Sequence, residues 1–367
     1  MNTEQHTSNL SPTLGATERG HILVTGASGF IGSFIVAEGL NRGFDVWAGM
    51  RGTSSRKYLQ DERIRFAQLD MQNPEKLRSQ LLAYKAEMGG KGWDYVVHAA
   101  GATKCLHRED FFRTNTEGTK NLIDALRSAE MIPRRFVFLS SLSIFGAIRE
   151  EPVRKPSADN PWVYAPILLT DEPKPNTAYG ESKLAAEQYL TAQRDFPYTI
   201  LRPTGVYGPR ERDYFLMTQS IKRHIDIAAG WTPQEITFVY VQDVVQAVFK
   251  SMETPKAEGK AYFLSDGEIY DSRSYSDLVQ LCLGDPWVLH LKLPLFLLRT
   301  ICWVSGKISR LTGKMNALND DKYNILSQRN WQCDIEPATR DFGYTPRWSL
   351  ERGVQVSIEW YKEEKWL

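Results

Sequence analysis

Tyr179 stands four residues before Lys183 in NTAYGESKLAAEQYL, residues 176–190. Residues four apart share one helical face, so an ammonium there lies beside a phenol. It favours phenolate, lowers a pKa that starts near ~10 and lets the phenol pass a proton at neutral pH. A fall of about 3 in pKa takes about 4 kcal/mol of differential stabilisation, within reach of two nearby cations in a half-buried site. The plain alternative is a chance match at a helix start capped by Asn176 or Thr177, with a surface phenol.

A second chemical signal lies near the N-terminus. TGASGFIG sets Gly26, Gly29 and Gly32 between an apolar strand and a helix, with Ser28, Phe30 and Ile31 in the same turn. Glycines at a strand-to-helix junction let the backbone turn tightly and approach a pyrophosphate, which then sits at the positive helix end. The spacing is Gly-x-x-Gly-x-x-Gly rather than Gly-x-Gly-x-x-Gly, and a purely structural turn is the alternative. A dinucleotide site normally carries an acid about twenty residues on, at the ribose 2′-hydroxyl. Here the second strand ends in AGMRGTSSRK, with Arg51 at its end and Arg56 and Lys57 following. A guanidinium suits a 2′-phosphate, so the expected cofactor is NADP, with NAD as the alternative.

The elements that must hold these groups alternate. HILVTG, FDVWAGM, IRFAQLD, YVVHAAG, RRFVFLSS and YTILRP read as strands, and helix-patterned segments separate most of them. DFFRTNTEGTKNLIDALRSAEM reads as one helix. Such alternation predicts an α/β fold with a doubly wound parallel sheet, Rossmann-type, and a smaller mixed C-terminal substrate lobe. The expected division is a loose tail over 1–20 and a dinucleotide-binding domain over 21–205, to which 236–255 returns. Residues 206–235 and 256–367 then form the substrate lobe and C-terminal helices. The proline-rich stretch 151–177 reads as a long functional loop.

Composition narrows the class. The chain has 367 residues, 42% apolar and 24% charged, with net charge +1, which argues against an electrostatic nucleic-acid binder. Cys105, Cys282, Cys302 and Cys333 are scattered, with neither disulfide nor metal-ligand spacing, so reduced thiols, a cytoplasmic setting and no metal are expected. The first twenty residues lack a secretory apolar core. No run reaches the ~18 apolar residues of a membrane helix.

TGASGFIG, LDMQN, HAAG, FLSSLSIFG, YGESK, LRPTGVYGP and FVYVQDVVQAV occur in that order. Together they resemble the extended short-chain dehydrogenase/reductase family, NAD-dependent epimerase/dehydratase-like, over roughly residues 20–365. The resemblance implies an NAD(P)-dependent oxidoreductase. It implies Tyr179 as acid/base, Lys183 as its partner and nicotinamide-ribose ligand, and Ser141, rather than Ser140 or Ser143, as the third catalytic position. Asn115 takes a structural or proton-relay role. Asp70 and Met71 lie beside the adenine, Ala99, Ala100 and Gly101 under the cofactor, and Pro203, Thr204 and Val206 near the carboxamide. A homodimer through the Tyr179 helix is implied by analogy alone.

Two substrate classes compete. Nucleotide-sugar epimerases and dehydratases of this family, working with bound NAD, usually carry asparagine where this chain has Gly205. The other branch acts on apolar secondary alcohols and ketones and resembles 3β-hydroxysteroid dehydrogenases, closest in the tail. There LPLFLLRTICWV precedes RLTGK, WQCDIEPATRDFGYTP and SLERGVQVSIEWYKE. The apolar run over 293–304 is short and broken by Arg299, so no firm membrane anchor is expected and peripheral association stays open. Trp287, Phe296, Trp303 and Trp331 are read as core or as a wall for a flat apolar ligand. The terminal segment reads as an amphipathic helix packing on the sheet.

Overall fold

The computed structural model describes residues 19–313 and 318–367; the expected tail over 1–20 lies outside them save its last two positions. Apolar, largely β-branched and aromatic runs build the strands. They are β1 (His21–Thr25), β2 (Asp45–Met50), β3 (Arg65–Gln68), β4 (Tyr95–His98), β5 (Arg135–Leu139) and β6 (Tyr198–Pro203). β7 (Gly205–Tyr207), β8 (Ile225–Ala229), β9 (Phe238–Tyr240), β10 (Lys260–Leu264) and β11 (Leu289–Leu293) follow. Seven of them form one parallel sheet, in the order β3-β2-β1-β4-β5-β6-β10, while β8 pairs with β11 and β7 with β9. The expected doubly wound sheet is present. Its strand order reverses between β1 and β4, the crevice where such sheets bind ligands.

The helices are α1 (Phe30–Asn41), α2 (Pro74–Glu87), α3 (Arg108–Phe111), α4 (Gly118–Ser128), α5 (Ala178–Thr191) and α6 (Asp213–Lys222). α7 (Val241–Glu253), α8 (Ser274–Cys282), α9 (Leu295–Thr312), α10 (Asp320–Ser327), α11 (Glu336–Phe342) and α12 (Leu350–Glu363) complete them. Strand alternation assigns their sides. Ile22, Val24, Val46 and Ala48 meet Ile35 and Val36 of α1 and Val244, Val248 and Phe249 of α7. Leu23 and Trp47 meet Leu77 and Leu81 of α2, Leu122 and Leu126 of α4 and Leu190 of α5. Fully burying each such aliphatic chain is worth roughly 2 kcal/mol. Local chemistry starts the helices: Asn73 accepts from Lys76 N before Pro74 of α2, and Thr177 accepts from Gly180 N before α5.

Two expectations need correction. The helix read through residues 110–131 is interrupted by a π-helical turn, Phe112–Glu117, between α3 and α4. Asn115 in that turn is fully buried and bonds outward to Ala102 and Ser182, and the widened turn aims it there. The terminal helix α12 packs on α8 and β9 instead of the seven-stranded sheet. Its apolar face, Leu350, Val354, Ile358 and Tyr361, closes an aromatic cluster with Tyr207, Phe238, Tyr240 and Tyr275. The proline-rich stretch forms no helix or named strand between Ile144 and Ala178. It is fastened by a bridge from Ile167 to Cys333 and by the Glu235 carboxylate, which accepts from Tyr164 N at 3.2 Å.

Candidate functional site

The loops after β1 and β4 meet at the switch point. Gly26 has φ +68°, and a Cβ there would stand 2.7 Å from Ala100 backbone atoms. A Cβ on Gly32 would collide with the Gly26 carbonyl, and one on Gly29 would lie 3.1 Å from the same oxygen. The three glycines thus form a cradle that any side chain would fill. α1 begins directly beyond it, with no side-chain cap and no acidic residue in its first turn. Phe30 and Ile31 turn their side chains toward the aromatic cluster, so this turn presents backbone to the crevice. An uncapped helix start carries unpaired N–H donors and positive potential, which suits a pyrophosphate. Ser28 is half-buried in the same loop.

Arg51 is exposed just past β2, and its guanidinium has no hydrogen bond or ion pair among the described residues. Its neighbours are engaged: Arg56 lies over the Phe66 ring at 3.8 Å, and Lys57 pairs with Glu364 at 2.9 Å. Asp70, beyond β3, pairs with Lys76 at 3.1 Å, and the Met71 carbonyl accepts from Asn121 at 2.8 Å. Ala99 N bonds Thr25 O at 3.2 Å. Beyond β6, Thr204 N donates to Leu264 O at 3.0 Å, and Pro203 and Val206 flank it in β6 and β7.

Tyr179 and Lys183 lie on α5. The Lys183 ammonium is buried, donates to Leu139 O at 2.8 Å and lies 4.8 Å from the Phe138 ring centroid. A Cβ on Gly101 would lie 3.1 Å from Lys183 Nζ and 3.1 Å from Asn115 Oδ1, so Gly101, Asn115 and Lys183 share one corner. Asn115 Oδ1 accepts from Ala102 N at 2.7 Å; its Nδ2 donates to Ser182 Oγ at 2.9 Å and Ala102 O at 3.0 Å. The amide thereby fastens the loop after β4 to α5. Ser141 opens a short 3₁₀ turn, its hydroxyl accepting from Ser143 N at 3.2 Å. Ser140 is buried, and its hydroxyl has no partner among the described residues.

Burial holds the Tyr179 phenol above its ordinary pKa, and the Ser141 hydroxyl opposes that only in part. Burial thus outweighs any lowering from Lys183 alone. Burial also brings the Lys183 ammonium down to about 8, with Glu187 pulling the other way, and the ammonium is committed to Leu139. Glu187 is itself clamped by Arg202 at 2.6 Å. Lys183 stays charged at neutral pH, yet burial dominates at the phenol.

Sequence reasoning missed His98. Its Nδ1 meets Thr25 Oγ1 at 2.6 Å and its Nε2 meets Thr119 Oγ1 at 2.9 Å. Thr119 donates its own proton to Asn115 O, so Nε2 must carry the hydrogen and Nδ1 must accept from Thr25. Burial first, and then the Lys183 charge, pushes His98 down to about 3, so it is neutral and structural. HAAG contains the residue, but only the fold brings both threonines to it. Asp321 had no local signal. Its carboxylate oxygens accept from Ala178 N at 3.2 and 3.1 Å, one residue before Tyr179. Ser182, which receives Asn115, was visible in YGESK but went unread.

A family model for the NAD dependent epimerase/dehydratase family matches residues 22–265. The chain belongs to that family. Members of this family are enzymes that bind NAD(P) and act on small molecules. A 3-beta-hydroxysteroid dehydrogenase of Mycolicibacterium neoaurum is 25% identical, aligned over 96% of this chain and 94% of that protein. A UDP-glucose 4-epimerase of Vibrio cholerae is 24% identical over 92% of this chain and 94% of that protein. Among solved structures, a dTDP-glucose 4,6-dehydratase from Bacillus anthracis in complex with NAD superposes with TM-score 0.70 and 18% identity. That alignment covers 95% of this chain and 98% of that one, and it shows the shared epimerase/dehydratase fold. The glycine cradle and uncapped α1 fit the family's dinucleotide. Among the described residues no helix is long and apolar enough to cross a membrane, and no cluster of metal-ligating side chains forms.

Proposed function

We propose that the protein is an NADP-dependent oxidoreductase of the extended short-chain type, acting on an apolar secondary alcohol or ketone such as a 3β-hydroxysteroid. A bound nicotinamide supplies or accepts the hydride. Tyr179 gives or takes the proton at the substrate oxygen, and Ser141 hydrogen-bonds and orients that oxygen. Lys183 holds the nicotinamide ribose and supplies positive charge near the phenol. Asn115 is a positioning residue, acting through Ala102 and α5. The unengaged Arg51, set beside the engaged Arg56 and Lys57, supports a 2′-phosphate and hence NADP.

One observation carries the substrate class. Gly205 sits where sugar-nucleotide members carry asparagine, and a Cβ on Gly205 would collide with the Tyr214 hydroxyl. Tyr214 is packed 4.7 Å from Tyr275 and 6.0 Å from Phe238, ring centre to ring centre, so Gly205 abuts an apolar aromatic cluster, which supports the apolar reading. The test is to titrate the NADPH complex with ketosteroids and with UDP- and dTDP-sugars, following nicotinamide absorbance. Ketosteroid-dependent oxidation of NADPH, without binding of sugar nucleotides, is expected. Tight sugar-nucleotide binding with retained, non-exchanging NAD would favour an epimerase or dehydratase instead.

A further inference from the structure

The largest concentration of unpartnered apolar side chains lies far along the chain from the glycine loop, on β8, β11 and α9. β8 and β11 pair in parallel, with Leu289 opposite Ile225 and Leu291 opposite Ile227. These four side chains therefore share one face of the ribbon, and all four are exposed. The other face is polar: His290 Nδ1 meets Asp226 at 3.0 Å, and Ser276 donates to the same carboxylate. Trp231 and Trp287 flank the ribbon at 65% and 72% exposure. Gly230 joins this patch to the helix, since a Cβ there would lie 3.2 Å from Leu295.

α9 buries only a narrow edge, Leu298, Cys302, Gly306 and Ser309, and packs beside α10. Leu297, Ile301, Val304, Ile308 and Leu311 follow one another at spacings of four and three, which places them on a single stripe, and all are exposed. Phe296 and Trp303 are exposed as well. The charges on α9 and β11 themselves have one sign, while Asp226 on β8 and the exposed Asp285 and Asp320 lie at the borders. Lys292, Arg299, Lys307 and Arg310 are exposed, and residues 286–319 contain no Asp or Glu.

We propose that this face docks on an anionic lipid bilayer, α9 lying in the interface with its apolar stripe among the acyl chains. Charge selects that occupant over a second copy. A two-fold contact of α9 with itself would set Arg299, Lys307 and Arg310 against their own copies, with no carboxylate on that helix to relieve them. Anionic headgroups satisfy the same cations, long Lys and Arg stems snorkel to them, and tryptophans favour the headgroup level. α9 is too short and polar to span, so the contact is peripheral. α9 rests on α10, whose Asp321 and Asn324 hold Ala178 N and Asn176 O at the start of α5. One helix thus separates the lipid-facing surface from Tyr179. The docking claim stands whether or not the substrate reading holds.

The test uses the full chain in flotation with vesicles of phosphatidylcholine alone and of phosphatidylcholine with phosphatidylglycerol. Tryptophan quenching by brominated lipid is read alongside. The protein should float with the anionic vesicles, roughly tenfold or more strongly than with neutral ones, and added salt should weaken the binding. Its tryptophans should be quenched. Lys307→Gln with Arg310→Gln should weaken partitioning roughly thirtyfold while NADPH binding is retained. Failure to bind either vesicle, or equal binding to both, overturns the proposal. So does a dimer in sedimentation that dissociates with Ile301→Ser and Val304→Ser while the wild type ignores vesicles. The wild-type measurements decide the matter even if a variant misfolds.

Discussion

Lys183→Met separates what Lys183 does for the fold from what it does for chemistry. The folded protein holds this ammonium at a pKa of about 8, against an ordinary 10.5. Below pH 8 the lysine is charged in both states, and burying that charge costs the native state about 3 kcal/mol, at about 1.4 kcal/mol for each tenfold in the proton equilibrium. Between about 8 and 10.5 the unfolded chain binds the extra proton, so native stability rises with pH and the cost disappears above that window. Methionine removes the charge but leaves the Leu139 carbonyl without the ammonium, an offset of about 1–3 kcal/mol. At pH 7 the variant should therefore match the wild type or exceed it by up to about 2 kcal/mol. At pH 10 the wild type should have gained about 2–3 kcal/mol relative to the variant. Urea unfolding of both cofactor-free proteins at the two pH values measures this, and comparing the pair cancels every other titrating group. Turnover should fall at least roughly a hundredfold in the same variant. A stability difference that does not change with pH would refute the claim that burial, not pairing, sets the state of Lys183.

Other substitutions test other parts of the site. Gly32→Ala would press a Cβ to 2.8 Å from the Gly26 carbonyl carbon, which is backbone and cannot swing aside; a stability loss of about 1–3 kcal/mol and at least tenfold weaker NADPH binding should appear in thermal melts and fluorescence titration. Arg51→Ala should weaken NADPH roughly tenfold or more and leave NADH nearly unchanged, read as a ratio of dissociation constants. Asn115→Ala strips partners from Ala102 and from the buried Ser182 hydroxyl; it should cost about 2–4 kcal/mol of stability and raise KM for the cofactor more than it lowers kcat.

Much of this was legible because it is local. The glycine triplet, the caps at Asn73 and Thr177, and the alternation along β1 act within a few residues, so period and turn chemistry reveal them. The π-helical turn at Asn115 was not legible, since its cause is a set of bonds to Ala102 and Ser182, the latter 67 residues away. The burial that opposes Lys183 at Tyr179 was not legible for a related reason. Spacing told of a neighbouring cation, but not that burial would outweigh it at the phenol. Trp287, Phe296 and Trp303 looked like core or ligand wall by composition, yet they are exposed. Only the register of β8 with β11 and the narrow buried edge of α9 show which side they face. Tyr214 reaches Gly205 through tertiary packing that no short motif encodes.

The most direct measurement compares wild type with Tyr179→Phe in steady-state oxidation of NADPH by a ketosteroid, with nucleotide affinity determined separately. Removing one hydroxyl should lower kcat by roughly 10²–10⁴-fold and leave NADPH binding intact. A variant that turns over within a few-fold of the wild type would contradict proton transfer by this phenol.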